Sequence, residues 1–424
     1  MRPMSDAPAS LPVATDGAEI GLLVFALLVL SNGPMFLIQE RVFLDRGGFT
    51  GPVAEPLLAA VAVGAVVVVC LREAGFARSR LRRPLLITSV AATTFAAWCV
   101  LSILWSVNPD LTRPRAMIYV GLAALAWLIA DLEPDRLGRV VGWFTGLAVV
   151  SSLVTVAVMS DWGIDRSGDW SGVFTNRNSF APVCGLAIIS LVSMGATTRG
   201  RPRAVIVAVC TCAVVGLLGA GSRTAWLAVC GSVGFASLFG WAALRRRSRR
   251  SIGLPIVVLA AGAAIGLGTV MRLWGESTFE QRRTMWRFAW DWIGNRPLHG
   301  HGWWAVWDTP RFTSLDVLLQ RGSAHNSFLD VWLGAGLVGF VCYVVIVAVA
   351  LGSTIALLWR APSVESWFLA AMAMFLVIEN LTESFVLTYS YNWVLILAVA
   401  LRAGSRARPG SGRRTPERIA AATG

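Results

Sequence analysis

Ala204-Val-Ile-Val-Ala-Val-Cys-Thr-Cys-Ala-Val-Val-Gly-Leu-Leu218 carries no charge, and it stands between Arg199, Arg201 and Arg203 on one side and Arg223 on the other. Such a stretch is close to the roughly 20 mostly apolar residues that a helix needs to cross a bilayer. It is not alone. Leu22 to Leu37, Pro56 to Leu71 and Ile252 to Val270 repeat the pattern, and the whole chain of 424 residues is 56% hydrophobic and only 14% charged. A mean hydropathy of +0.65 lies outside the range of soluble domains. The sequence therefore predicts an all-α, polytopic integral membrane protein of about 12 transmembrane helices.

The helices are expected near 19–39, 53–71, 85–105, 116–130, 140–159, 179–197, 204–220, 224–244, 252–271, 327–359, 365–380 and 391–402. They form one transmembrane domain over 19–404. The first eighteen residues lack the basic start and cleavage site of a secretory signal; residues 1–18 read as a cytoplasmic tail. A basic tail over 405–424 is expected to be cytoplasmic and disordered. All 37 basic residues are arginine, which fits the codon bias of a GC-rich genome. The net charge of +13 is not read as a sign of nucleic acid, because its distribution follows the loops.

One set of loops is dense in arginine: Arg72 to Arg83, Arg136 and Arg139, Arg199 to Arg203, Arg245 to Arg250, and the tail from Arg402. The positive-inside rule makes that set cytoplasmic. The opposite set, 40–51, 106–115, 160–178, 221–223, 272–325 and 381–390, then faces outward. Only 272–325 is a sizeable extramembrane loop, expected to hold short helices, and its tryptophans suit a layer at the lipid interface. The seven cysteines all lie in apolar runs without metal-ligand spacing, so they read as packing residues.

Outward loops should be poor in arginine, yet Arg166, Arg177, Arg223, Arg272, Arg282, Arg283, Arg287, Arg296, Arg311 and Arg321 lie there. Guanidinium groups bind phosphate oxygens bidentately, which points to an anionic partner such as a lipid diphosphate. Contact with lipid headgroups explains any single one of them equally well. A helix over 279–293 puts Phe279, Trp286, Ala289, Trp290 and Ile293 on one apolar face, with Arg282 among them. Arg287 suits a solvated face; Arg282 calls for an inward anionic partner.

Histidine occurs only as His299, His301 and His325. His325 opens the tenth helix in Ala324-His325-Asn326-Ser327, where an imidazole can take a proton from an incoming hydroxyl; capping the helix or bonding Asn326 is the lesser, structural alternative. His299 and His301 flank Gly300 in a turn and read as structural. Asn176-Arg177-Asn178 precedes a helix and offers amides and N–H groups for sugar hydroxyls or phosphate. Gly221-Ser222-Arg223 is a sharp turn that restricts its arginine. Glu379, Asn380 and Glu383 are polar residues near the outer end of the eleventh helix.

Taken together, these residues resemble the O-antigen ligase and polysaccharide polymerase family. His325-Asn326, nine residues, Gly336, two residues and Gly339 match its His-Asn-x9-Gly-x-x-Gly pattern. Ser222-Arg223 is similar to its Ser-Arg turn, Gly172-Val-Phe-Thr-Asn-Arg-Asn178 to its Gly-x-Phe-x-x-Lys-Asn segment, and Arg282-Arg-Thr-Met-Trp286 with Gly300-His-Gly302 to its Arg-x-x-x-Trp and Gly-x-Gly elements. Arg177 stands where lysine is usual, and Arg283 beside Arg282 leaves that register open by one.

The resemblance implies an enzyme that works without metal or cofactor on the outer face of the bacterial cytoplasmic membrane. Its donor would be an undecaprenyl-diphosphate-linked glycan, and its acceptor a hydroxyl on a glycan, lipid or wall component. His325 is then the catalytic base, Arg223, Arg282 and Arg283 the diphosphate ligands, and Arg177, Asn178, Asn326 and Arg321 further substrate contacts. Polymerisation of lipid-linked repeat units is an open alternative, and a lipid-glycan flippase is the alternative of another class.

Overall fold

The computed structural model describes residues 14–31, 54–74, 85–165, 167–245, 276–309, 322–387 and 390–402. The long described helices are α1 (Ala14–Ser31), α2 (Ala54–Glu73), α3 (Leu86–Leu101), α4 (Pro109–Ala130), α5 (Pro134–Val158) and α6 (Arg177–Thr197). They continue as α7 (Arg201–Gly219), α8 (Arg223–Arg245), α9 (Glu276–Asn295), α10 (Ser327–Arg360), α11 (Val364–Thr382) and α12 (Tyr391–Arg402). Among the described residues, nine helices are long and apolar enough to cross a membrane, and α12 and the Gly17–Ser31 part of α1 are shorter apolar segments. The expected span over 252–271 and most of the N-terminal tail lie outside the described residues, as do 310–321 and the tail from 403.

Helix starts follow local chemistry. Asn108, Asn176 and Asn326 cap α4, α6 and α10 by accepting backbone N–H bonds. Ser363 opens α11 with a reciprocal capping pair to Ser366. Two expected starts fall late: α4 begins at Pro109 rather than 116, and α5 at Pro134 rather than 140. Both carry a proline in the first turn, which helices tolerate there, and hydropathy alone does not register a polar first turn.

The two ends of the helices are tied by different contacts. At one end Arg72 pairs with Glu19 at 2.9 Å and Asp131 at 3.7 Å, and Arg402 donates to the Leu132 carbonyl. At the other, the 105–107 turn is tied to the 296–301 segment: Arg296 donates to the Trp105 carbonyl at 3.0 Å, and Val107 N–H donates to the His301 carbonyl at 2.9 Å. There Trp303 is driven into the core between Phe95 and Tyr119, with ring centroids 5.4 and 4.7 Å away. Arg115 reaches the Trp304 carbonyl and lies 4.4 Å above that ring, so α4 fixes the turn from below.

A break in α10 completes this end. Gly336 has φ +65 inside the helix, and Gly300 and Gly302 have φ +71 and +101. The two segments meet backbone to backbone: His301 and Gly302 N–H donate to the Leu333 and Gly334 carbonyls, and Leu337 N–H donates to the Pro297 carbonyl at 2.8 Å. A Cβ on Gly336 would stand 2.4 Å from the Leu298 carbonyl oxygen, and one on Gly300 2.5 Å from that of Gly334. Both glycines of these two motifs thus serve close backbone approach as well as a left-handed φ. Gly336→Ala is expected to cost about 1–3 kcal/mol in backbone strain alone, and more for the clash. Thermal unfolding in detergent should show a clearly lowered midpoint, while Gly352→Ala, where a Cβ meets nothing within 4 Å, should leave it near wild type.

Candidate active site

Arg282 lies on the inner side of α9 and is only 6% exposed. The buried face of this helix is Arg282, Met285, Ala289 and Ile293. Trp290, expected on that face, is instead 50% exposed and packs edge-on against Trp332 at 5.4 Å. Arg283 is exposed, so the two adjacent arginines differ in surroundings. Arg282 has the inward anionic partner that its position called for. Its guanidinium donates to the Thr382 carbonyl at 2.8 Å and to Glu383 Oε1 at 3.1 Å.

The other oxygen of the same carboxylate, Glu383 Oε2, is 2.5 Å from His325 Nδ1. One buried carboxylate therefore joins the arginine of α9 to the histidine ahead of α10. A neutral imidazole that donates from Nδ1 to a carboxylate keeps its Nε2 lone pair for an incoming proton. His325 also has φ +48, one of two positive values at non-glycine residues among the described positions. Such backbone is costly and persists where the surroundings impose it.

Those surroundings are dense. Asn326 N–H donates to Ser384 Oγ at 3.0 Å, its side-chain amide donates to the Leu381 carbonyl at 3.3 Å, and its Oδ1 caps α10. Ser327 Oγ donates to Asn380 Oδ1 at 2.6 Å. Buried Asp330 accepts from Ala324 N–H, from Trp307 Nε1 at 2.8 Å and from Ser384. Trp286 Nε1 donates to the Ala324 carbonyl at 2.9 Å. Both residues flanking His325 are thus pinned from α9, α10 and the segment after α11. Asn326 helps hold His325 in place and has its own side chain committed to the protein.

A cavity of about 180 Å³ opens beside His325 and Glu383 and reaches Asn178 and Ser179 at the start of α6 and Tyr391 at the start of α12. Arg177 does not line it; its guanidinium pairs with Asp169. That aspartate also lies against the next turn, since a Cβ on Gly221 would meet Asp169 Oδ1 at 2.7 Å, and Trp170 N–H donates to the Gly219 carbonyl at 3.0 Å. The turn at Gly221, two residues before exposed Arg223, thus lies against Asp169, the partner of Arg177. Of the expected site residues, His325 and Asn178 line the cavity; Arg282 is joined to it only through Glu383, Asn326 follows His325 without lining it, and Arg177 is paired with Asp169. Arg321 lies outside the described residues.

Glu383 was visible in the sequence only as a polar residue after the eleventh helix. Nothing there tied it to His325, 58 residues away. The unassigned aspartate of the first turn of α10, Asp330, was likewise hidden, although a buried acid at that place next to His-Asn is a usable signal.

His301 serves the turn, as expected. Its Nε2 donates to the Trp292 carbonyl at 2.8 Å. Burial pushes its imidazole below the ordinary histidine range; the Trp292 bond acts in the opposite sense, and Arg296 and His299 add to the lowering. The fold therefore favours neutral His301, and the unfolded chain binds its proton more readily. That contribution is present above about pH 6.5 and is lost as pH falls through the folded value. The unfolding midpoint should fall on acidification across this window, and His301→Phe should flatten the dependence.

The buried ion pair gives a second expectation. Removing either partner of a buried pair leaves a stranded charge and costs about 3–5 kcal/mol. Arg282→Ala and Glu383→Ala should each lower the unfolding midpoint strongly, and the double variant should lose much less than their sum. Additive losses would mean that the two side chains are not coupled.

Comparison with known proteins gives two findings. Residues 206–344 match the family described as O-Antigen ligase. An O-antigen ligase of Pseudomonas aeruginosa is 23% identical over 331 residues, covering 75% of this chain and 77% of that protein. The family match contains Arg223, Arg282 and His325 and stops before Glu383. With the apolar helices, the comparisons support a multi-pass membrane protein, and glycan ligation or polymerisation in general. Both findings agree with the motifs, and they support the O-antigen ligase family for this chain.

Proposed function

We propose that the chain transfers a glycan from undecaprenyl diphosphate to an acceptor hydroxyl on the outer face of the bacterial cytoplasmic membrane. The observation that carries this reading is the single Glu383 carboxylate shared by Arg282 and His325 beside a cavity. The sharing orients the imidazole and leaves Nε2 as the base, an arrangement suited to deprotonating a hydroxyl.

In the proposed step the acceptor oxygen attacks the anomeric carbon of the donor sugar. The bond from that carbon to the diphosphate oxygen breaks, its electron pair leaves with the diphosphate, and the hydroxyl proton passes to His325 Nε2. Negative charge grows on the leaving group, which guanidinium groups stabilise most effectively where water is scarce. Arg223 and Arg283, both exposed, are assigned to the diphosphate, and Arg321, outside the described residues, is assigned to the substrate. Arg282 is assigned to the same cluster and also holds Glu383. Arg177, paired with Asp169, and Asn178 on the cavity wall are assigned to the substrate from the α6 side. The placement of this end outside the cytoplasm rests on the arginine-dense loops at the other end.

The test supplies purified wild type and His325→Ala with undecaprenyl-diphosphate-linked glycans of the host. Wild type is expected to release undecaprenyl diphosphate together with a larger glycan product, and His325→Ala to lose about 10²–10⁴-fold in rate while staying folded. The acceptor found in the product separates ligation from polymerisation. Movement of the glycan lipid across vesicles with no release would overturn the transfer reading and favour a flippase.

A further inference from the structure

The cavity beside His325 differs in charge from the turns around it. Its polar lining consists of hydroxyls and amides, among them Asn178, Ser179, Ser323 and Tyr391, and its ionisable members besides Tyr391 are His325 and Glu383. No arginine lines it among the described residues, although Arg177 is next to Asn178 in the chain. Arg177 is drawn to Asp169, and Arg282 to Glu383 and the Thr382 carbonyl.

One lining group, the half-buried Asn178 amide, has no protein partner among the described residues and is free to meet a ligand. The apolar side of the cavity, Leu30 and Phe385, offers a surface for C–H groups. Its volume of about 180 Å³ is below the roughly 300–1,000 Å³ usual for drug-sized sites, which suits a small ligand.

We propose that this cavity is the acceptor subsite of the transfer described above, and that it takes a single uncharged sugar ring while rejecting hexuronates and sugar phosphates. The proposal rests on the transfer reading for the word acceptor, because the hydroxyl next to His325 is the one to be deprotonated. The charge preference has its own physical basis. A neutral ring exchanges water for hydroxyls and amides that both donate and accept. A carboxylate or phosphate in the same place loses its hydration and meets no arginine among the described lining residues, while the guanidinium of Arg282 is already committed to Glu383.

The experiment needs no donor lipid. The full chain, purified in detergent, is titrated with methyl glycosides of glucose, galactose and mannose and with the matching methyl uronates, and binding is read by saturation-transfer NMR. At least one neutral glycoside is expected to bind about tenfold or more tightly than its uronate, a difference of about 1.4 kcal/mol. Asn178→Lys places a cation on the cavity wall and is expected to narrow or reverse that preference, and Asn178→Ala to weaken the neutral ligand. Equal or tighter binding of the uronates by wild type would overturn the proposal. So would the absence of binding by every neutral glycoside, or a preference untouched by both variants. Because binding is read without transfer, a neutral preference with no transfer sinks the catalytic reading alone, and transfer to acidic acceptors without that preference sinks the subsite alone.

Discussion

Breaking α10 at Gly336 frees backbone N–H and C=O groups at the end of a helix that must otherwise cross an apolar layer. Such groups need partners, because lipid supplies none. The Gly300–Gly302 segment provides them, and in doing so it fixes where the 296–309 turn lies. Everything around His325 follows from that contact. Trp303 enters the aromatic core, Trp307 reaches Asp330, and Asp330 holds Ala324, the residue immediately before the histidine. Glycine is required on both sides because each backbone occupies the space of the other's Cβ.

The second constraint is electrostatic. Arg282 and Glu383 are both nearly buried, and burying an ion pair gains little net stability over apolar packing. Its value here lies in geometry: a carboxylate with one oxygen on a fixed guanidinium has its other oxygen fixed too, and that oxygen meets His325. The arginine thus contributes to the histidine's orientation through the carboxylate it neutralises. A motif arginine and a motif histidine, distant in sequence, become one unit by way of a residue that no motif contains.

Much of this was legible in the sequence and part was not, for identifiable reasons. Apolar runs located eleven expected helices that overlap described ones, because hydropathy is a local property; their first turns were missed at α4 and α5, where a first-turn proline, joined at α4 by the Asn108 cap, marks the start. The burial of Arg282 was readable from helical periodicity, whereas the full face was not: Trp290 lies outside it and Met285 inside. A tryptophan at an interface is apolar without being buried, which periodicity does not distinguish. Glu383 escaped because pairing across 58 residues is a tertiary fact.

The polar residues below the cavity show how a membrane helix supports such a site. Asn380 accepts from Ser327 and donates to the Leu376 carbonyl and to Asn392, so α10, α11 and α12 are tied together one turn beneath His325. Glu379 lies on the same helix, buried, with Oε1 unsatisfied among the described residues. Polar groups at that depth are expensive and are retained where they pair with one another or serve a site. The same helix end that places Glu383 for His325 also carries Asn380 and Glu379. The mouth of the cavity is therefore held by side-chain bonds between helices, and apolar packing alone would leave the pitch of α11, and with it the carboxylate, free to slide.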